Sequence, residues 1–416
     1  MLKQSLLKNK RAVAGILLTL LLLCVMLLFQ YGTNKSAVKI GILHSLTGTM
    51  VISEKPLVDA LQFAIEEVNA KGGINGRQIE AVIRDCRSDA VYCAQQAEQL
   101  IVREKVSVLF GCWTSSCRKA VKSVVEKHNH LLFYPVQYEG MEQSPNIIYT
   151  GAAPNQQIIP AVHWALEKFG KRVYLAGSDY VFPRMANIII KDMLTANNAI
   201  AVGERYLPLG SSSMNGLVAD ILRQRPAVVF NTFNGGSNFA FFAALNKAGI
   251  RADEIPVMSF SLAEAELASL GTLDMAGHYA AWNYFQSLPT AQNQDFVARF
   301  RQRFGAQVVL DDPMEACYIG VMLWAQAARE TGSFAPAVVR QSVLRQTLHA
   351  PEGVVAVDAE TGHLWKTPMI GKIREDGQFD IVWDAGMAVE PQPFPNYRFQ
   401  DEWYKLLNSA QQGGKP

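Results

Sequence analysis

Two regimes of hydrophobic patterning divide the chain. Residues Ala12 to Phe29 form an unbroken run of 18 in which only Gly15 and Thr19 are neither strongly apolar nor alanine, and Lys3, Lys8, Lys10 and Arg11 precede it. A secretory signal core takes about 7 to 15 residues and a membrane span about 17 to 25, so the length favours a span. The best cleavage candidate, after Ala37, has Lys35 where a small residue is wanted, and Cys24 follows Leu23 rather than the small residue usual at a lipoprotein site. Residues 1–37 are therefore expected to be a basic region plus a transmembrane anchor or signal segment. Basic residues ahead of the span place the chain from 38 onward outside the cytoplasm. The expected location is periplasmic, tethered by residues 12–29 or released after signal cleavage.

Beyond Gln30–Lys35 the pattern changes. Short β-rich runs alternate with helical periodicity, which predicts βα units feeding parallel sheets. The first series has strand candidates Val38–Leu43, Ile79–Arg84, Val106–Phe110 and Leu131–Tyr134. Leu57, Leu61, Ala64, Ile65 and Val68 recur at helical spacing after Pro56, read as an early helical position, and Gly72-Gly73 closes that helix. A second series follows at Arg172–Ala176, Ile200–Val202, Ala227–Asn231, Pro256–Phe260 and His278–Trp282, with helical stretches such as Asn155–Phe169 and Asn238–Ala248 between them. The restart predicts an α/β protein of two lobes, each a parallel sheet flanked by helices. Segment Asp312–Glu330 reads as a strongly apolar helix, and from Val354 short strands with Asp376-Gly377 predict a hairpin-like end. The expected division is 38–154 with 287–350 as lobe 1, 155–286 with 351–400 as lobe 2, and 401–416 as a C-terminal tail.

Composition narrows the classes. The 416 residues are enough for several buried cores, 49% are hydrophobic and 18% charged, and Lys+Arg 39 against Asp+Glu 37 leaves +2. That excludes disorder and offers no basic field for nucleic acid. Six cysteines are too sparse for a disulfide scaffold and show no zinc-like CxxC spacing, so no metal or other cofactor is expected. In an oxidising compartment a disulfide such as Cys86 with Cys112 is the natural use of two of them. No G-x-S-x-G, H-E-x-x-H, P-loop or G-x-G-x-x-G appears, and the seven histidines do not cluster, so no catalytic group is identified.

In open α/β sheets ligands bind beyond the carboxyl ends of the strands, and between two lobes when both sets of loops face each other. The loop Gly111-Cys112-Trp113-Thr114-Ser115-Ser116-Cys117-Arg118 runs straight into a helix, whose free N–H groups and hydroxyls suit a ligand oxygen. Tyr134 and Tyr138 follow another strand, Asp179 and Tyr180 the first strand of the second series, and Asn234 and Glu264 lie in two further loops. Aromatic residues at so many strand ends suggest cleft walls rather than core. The candidate ligand-binding residues are Trp113, Thr114, Ser115, Tyr134, Tyr138, Asp179, Tyr180, Asn234 and Glu264.

These loops carry a family likeness. From about Val38 to about Tyr397 the chain resembles the type I periplasmic solute-binding proteins, within them the branch of the urea-binding component of ABC transporters and the short-chain amide sensors of amidase operons. The likeness rests on Gly72-Gly73-Ile74-Asn75-Gly76-Arg77, Phe133-Tyr134-Pro135-Val136-Gln137-Tyr138-Glu139-Gly140, Gly151-Ala152-Ala153-Pro154-Asn155-Gln156-Gln157, Gly177-Ser178-Asp179-Tyr180 and Arg374-Glu375-Asp376-Gly377-Gln378-Phe379. The resemblance implies two lobes joined by three crossovers that close over a small ligand without catalysis. It implies a ligand oxygen at Thr114 and Ser115, walls at Tyr134 and Tyr180, and an ABC permease as partner. Two departures stand out: Cys117 replaces a small residue, and the export segment is long enough to be an anchor. The second keeps open a sensor that reports to a signalling partner. A branched-chain amino acid is the rival ligand, with Glu264 or Glu266 facing its ammonium group, and a hydrolase of small amides lacks an activated nucleophile.

Overall fold

The computed structural model describes residues 36–411 apart from Leu273. The apolar run Ala12–Phe29, and with it the anchor expectation, lies outside them. Among the described residues no helix is long and apolar enough to cross a membrane.

In the first lobe, strands β1 (Val38–His44), β2 (Ile79–Asp85), β3 (Leu109–Gly111), β4 (Leu132–Tyr134) and β5 (Ile147–Tyr149) pair in parallel in the order β2-β1-β3-β4-β5. Helices α1 (Val51–Ala70), α2 (Ala90–Val102) and α3 (Ser115–Lys127) connect the first four strands. Central β1 is buried along nearly its whole length while edge β2 is half-exposed, as expected for a parallel sheet covered on both faces. Pro56 sits inside α1 rather than near its start, because the helix begins earlier, at Val51. β5 was missed from the sequence: three residues are too few for an alternating signal.

The second lobe runs α4 (Ile158–Phe169), β6 (Arg172–Ser178), α5 (Val181–Ala196), β7 (Ile200–Leu207), α6 (Asn215–Gln224), β8 (Val228–Thr232), α7 (Gly236–Lys247), β9 (Val257–Ser259), α8 (Glu264–Leu270) and β10 (Tyr279–Trp282). The chain then returns to the first lobe through α9 (Ala291–Phe304) and α10 (Asp312–Thr331), where Phe296 and Phe300 pack their rings 6.1 and 5.3 Å from that of Phe63. Helix α11 (Pro336–Val343) leads to a small antiparallel sheet of β11 (Thr347–Ala350), β12 (Gly353–Val357) and β13 (Leu364–Trp365). Ala350, Val355, Val357 and Leu364 are buried in the first core. The third crossing therefore lies after Trp365 and not at 351: the short strands read as the return to lobe 2 are anchored by apolar side chains facing lobe 1. Strands β14 (Met369–Ile373) and β15 (Phe379–Asp384) then extend the second sheet antiparallel, giving β15-β14-β10-β9-β8-β6-β7. The expected tail at 401–416 begins with a helix, α12 (Gln400–Gln411), whose Trp403 and Leu407 are buried in the second core.

One side chain knits the three crossings. Asn283 Nδ2 donates to Gln156 O and to Thr367 O, each at 3.0 Å, and the Asn283 and Tyr284 amides donate to Asp312 Oδ2 at 2.8 and 2.9 Å. The lobes also touch directly: Gln137 Nε2 donates to Phe260 O at 2.6 Å and to Ser261 Oγ at 2.8 Å. Gly235, at φ 58°, brings its backbone so close to Thr49 that a Cβ there would lie 2.7 Å from the Thr49 carbonyl oxygen. An Asn283→Leu substitution strands two buried carbonyls at similar side-chain volume. It should lower unfolding stability by about 2–6 kcal/mol, one to three for each carbonyl, and speed hydrogen exchange around residues 156 and 367; an unchanged denaturation midpoint would contradict this role.

Candidate functional site

The loop between β3 and α3 is held from below by a buried ion cluster. Thr114 caps α3, its Oγ1 accepting the Cys117 amide at 3.2 Å. One turn on, fully buried Arg118 spends its fork on three partners: Nε donates to Glu142 at 2.8 Å, one terminal nitrogen to Ser115 Oγ at 2.9 Å, the other to Glu139 at 3.0 Å. Ser115 Oγ donates in turn to Glu139 Oε2. Lys119 adds contacts of 3.1 Å to Glu142 and 3.6 Å to Glu139. The guanidinium lies 4.4 Å from the Tyr138 ring and 4.9 Å from that of Tyr134. Tyr138 stacks on Tyr149, which stacks on His363 at 4.1 Å, and Tyr149 donates to Glu142 at 3.0 Å.

Electrostatics follow from this packing. Burial opposes the charge on Arg118, but Glu142 and Glu139 outweigh it and hold the guanidinium well above its ordinary range. Burial likewise pushes Glu142 up, yet Arg118 and Lys119 bring its carboxyl down to about 2. Burial, with the nearby Glu139 charge adding to it, raises Tyr134, Tyr138 and Tyr180, and burial lowers His363 to about 3.

Above the cluster a cavity of about 200 Å³ opens between the lobes, its walls including Ser45, Met50, Glu54, Thr114, Ser116 and Tyr180. Glu54 Oε2 accepts the Ser45 amide at 2.8 Å and faces His44 Nδ1 at 3.1 Å. A shallower depression of about 370 Å³ shares Ser116 and Tyr180 and adds Lys119, Asp179 and Arg184. Both of these cations are committed: Lys119 to the two glutamates, Arg184 to Asp179 at 2.7 Å.

The candidates separate into groups. Thr114 and Tyr180 line the cavity and Asp179 the outer depression. Trp113 and Asn234 meet across the cleft, Trp113 Nε1 donating to Asn234 Oδ1 at 3.1 Å, and Tyr134 donates its hydroxyl to Trp113 O at 2.5 Å. Ser115 and Tyr138 belong to the Arg118 cluster, so the Ser115 hydroxyl already has partners. Glu264 lies at the hinge, where its Oε1 accepts the Gln286 amide at 2.8 Å. The second-lobe acceptors expected for a ligand's N–H groups, Asn234, Asp179 and Glu264, are thus engaged elsewhere, and the acids that line the cavity are buried Glu54 and, at the start of α2, exposed Asp89. Glu54 was overlooked because the expected helix began near Pro56, whereas α1 begins at Val51 and so carries Glu54 in its first turn. The cysteines also pair differently from expectation: Cys86 with Cys93 and Cys112 with Cys117, leaving buried Cys317 free. Each bridge joins a loop to the start of the helix it feeds, a local pairing that the strand-to-strand reading of Cys86 with Cys112 overlooked.

A family model described as a periplasmic binding protein domain matches residues 38–400. The chain belongs to that family. As a periplasmic binding protein it is a receptor and not an enzyme. The Leu/Ile/Val-binding protein homolog 7 of Brucella melitensis biotype 1 is 22% identical over 381 residues, covering 85% of this chain and 92% of that protein. A solute-binding protein of an ABC transporter from R. palustris, solved in complex with 4-hydroxybenzoate, superposes with a TM-score of 0.78 at 20% identity, covering 85% of this chain and 98% of that one. A 124-residue stretch is 30% identical to limonene hydroxylase of Geobacillus stearothermophilus, but the match takes in only 30% of this chain and 23% of that protein.

Removing the guanidinium leaves two buried carboxylates with Lys119 as their one remaining cation, so Arg118→Met should cost about 3–5 kcal/mol of unfolding stability. Glu142 titrates below its ordinary range in the folded protein, so its contribution is complete above about pH 4.5 and is lost as pH falls toward 2. Acid denaturation followed by circular dichroism should be less steep over that window in Glu142→Gln than in the parent; identical acid profiles would show that Glu142 is not held by the cluster.

Proposed function

We propose that this chain is the extracytoplasmic receptor of an ABC transporter and that it takes urea or a short-chain aliphatic amide between its lobes. The observation that carries the reading is the charge of the cleft: a cavity of about 200 Å³ is lined by hydroxyls, two acids, Glu54 and Asp89, and apolar or sulfur side chains, no cation is among its lining residues, and the two cations beside it are already paired. A solute carboxylate would have to displace an ion pair, whereas an amide donates N–H to Glu54 and accepts from Thr114, Ser116 or a helix amide with no charge to balance. The volume lies below the roughly 300–1,000 Å³ of drug-sized sites, which supports a ligand of few atoms. Such a ligand gains at most about 1.5 kcal/mol per heavy atom, so useful affinity demands that nearly every polar atom be paired in a closed site.

A second reading has its own support. Ala90 and Ser116, at the starts of α2 and α3, both line the cavity, and helix N-termini hold carboxylates. With Glu54 for an ammonium group, that would suit a zwitterionic amino acid, the ligand class in the name of the full-length Brucella relative.

Calorimetric titration of the purified full-length chain with urea, acetamide, leucine and 4-hydroxybenzoate separates the readings. Saturable heat is expected with urea or acetamide, weakened about tenfold or more in Thr114→Ala and Tyr180→Ala as hydrogen bonds of about 1.4 kcal/mol are lost. Binding of leucine or 4-hydroxybenzoate with none of urea or acetamide would overturn the amide assignment.

A further inference from the structure

The solute cavity has a sulfur-rich wall that the receptor reading leaves unused. Cys86 follows β2, Cys93 sits in the first turns of α2, Cys112 follows β3 and Cys117 lies in the first turn of α3, so two adjacent βα turns each carry a bridge. Either bridge alone would staple its loop to its helix. What stapling does not require is the approach of one pair to the other: the sulfurs of Cys86, Cys93 and Cys117 all lie within 4.8 Å of one another, and all three residues are buried. Cys86 and Cys117 face the cavity, where they are joined by the thioether residue Met50.

We propose that Cys86, Cys93 and Cys117, once reduced, hold one soft metal ion of the monovalent copper class in the wall of the solute cavity. Three thiolates around one ion at metal–sulfur distances of about 2.3 Å stand about 4 Å apart; the Cys117 sulfur is already within reach of the pair, and on reduction the Cys86 and Cys93 sulfurs, no longer bonded, have to swing about 2 Å apart by side-chain rotation. The donor set is sulfur only, which selects a soft ion over calcium, magnesium or manganese. The sulfurs cluster at the N-termini of two helices, α2 and α3, whose free amides favour thiolate over thiol. The chemistry balances with a named reductant. Each disulfide takes two electrons and two protons from one dithiol, which leaves as its own disulfide, or two electrons from one phosphine and two protons from one water, the water oxygen leaving in the phosphine oxide. The ion then displaces the protons of three thiols, and Cys112 remains a thiol. The bridged form has no thiolate in this cluster to offer, so binding is switched by the oxidation state of the two pairs.

The test uses the full-length chain, reduced with a water-soluble phosphine, freed of it anaerobically and titrated with Cu⁺ against a chromophoric Cu⁺ chelator. The reduced chain should take one Cu⁺ with thiolate-to-copper absorption and unchanged far-UV circular dichroism, and the oxidised chain none. Cys117→Ser and Cys93→Ser should each weaken binding by more than the roughly 10- to 100-fold that loss of an outer-shell partner costs, while Cys317→Ser binds as the parent does. Equal binding by Cys117→Ser and the parent would overturn the proposal. So would absence of binding by a reduced chain that keeps its circular dichroism, or loss of the fold on reduction, since the three sulfurs converge only in the folded lobe.

Discussion

A single buried guanidinium fixes the loop that the first lobe presents to the second. Arg118 is one turn into α3, and its partners Ser115, Glu139 and Glu142 belong to the capped loop above it and to the segment between β4 and β5. Buried charges survive only when paired and fully hydrogen-bonded. The pairing therefore dictates how the β4–β5 segment must run past α3. Tyr134 and Tyr138 then lie against the guanidinium, and Tyr134 reaches the Trp113 carbonyl, so the loop that faces the second lobe is set by contacts made behind it.

The hinge follows a similar logic with less compensation. Glu264, Glu266, Asp311, Asp312, Glu315 and Glu352 are buried where the chain passes between lobes, and Glu352, Asp312 and Glu315 sustain the charge of buried Lys366. Burial raises the carboxyls of Glu264, Asp311 and Glu315 well above their ordinary range and those of Glu266 and Glu352 to about 7. The crossings accordingly carry carboxyls whose ionisation burial opposes, together with amide hydrogen bonds, in place of a greasy core. Such contacts are directional, and together with Asn283 they define how one lobe is set on the other.

Closure leaves little free chemistry in the cleft. Trp113 meets Asn234, Gln137 meets the backbone of Phe260, and Gly235 admits Thr49 at a distance no side chain would tolerate. The remaining space is small and walled by hydroxyls, one buried acid and sulfur, which is a receptor's economy: polar groups not aimed at the ligand are satisfied by each other, so the few that line the cavity can discriminate.

Much of the fold was legible in the sequence because parallel strands buried on both faces are written as apolar runs. Val38–His44 and Arg172–Ser178 were found almost to the residue, and the restart of the pattern announced the second lobe. Three-residue β5 and the short strands after Thr347 were not assignable, because period-2 patterning needs length and cannot say which core a strand faces. At the site, the sequence marked the strand-end loops and, within them, Thr114 and Tyr180. It could not tell that Ser115 and Tyr138 serve Arg118, that Glu264 serves the hinge, or that Glu54 reaches the cavity, since each of those roles is set by where the packed chain places a side chain and not by its spacing along the sequence. The cysteines show the division most plainly. Local spacing permitted several pairings, and only the placement of β2 and β3 on either side of β1, with α2 beside α3, brought the two bridges together at the wall of one cavity.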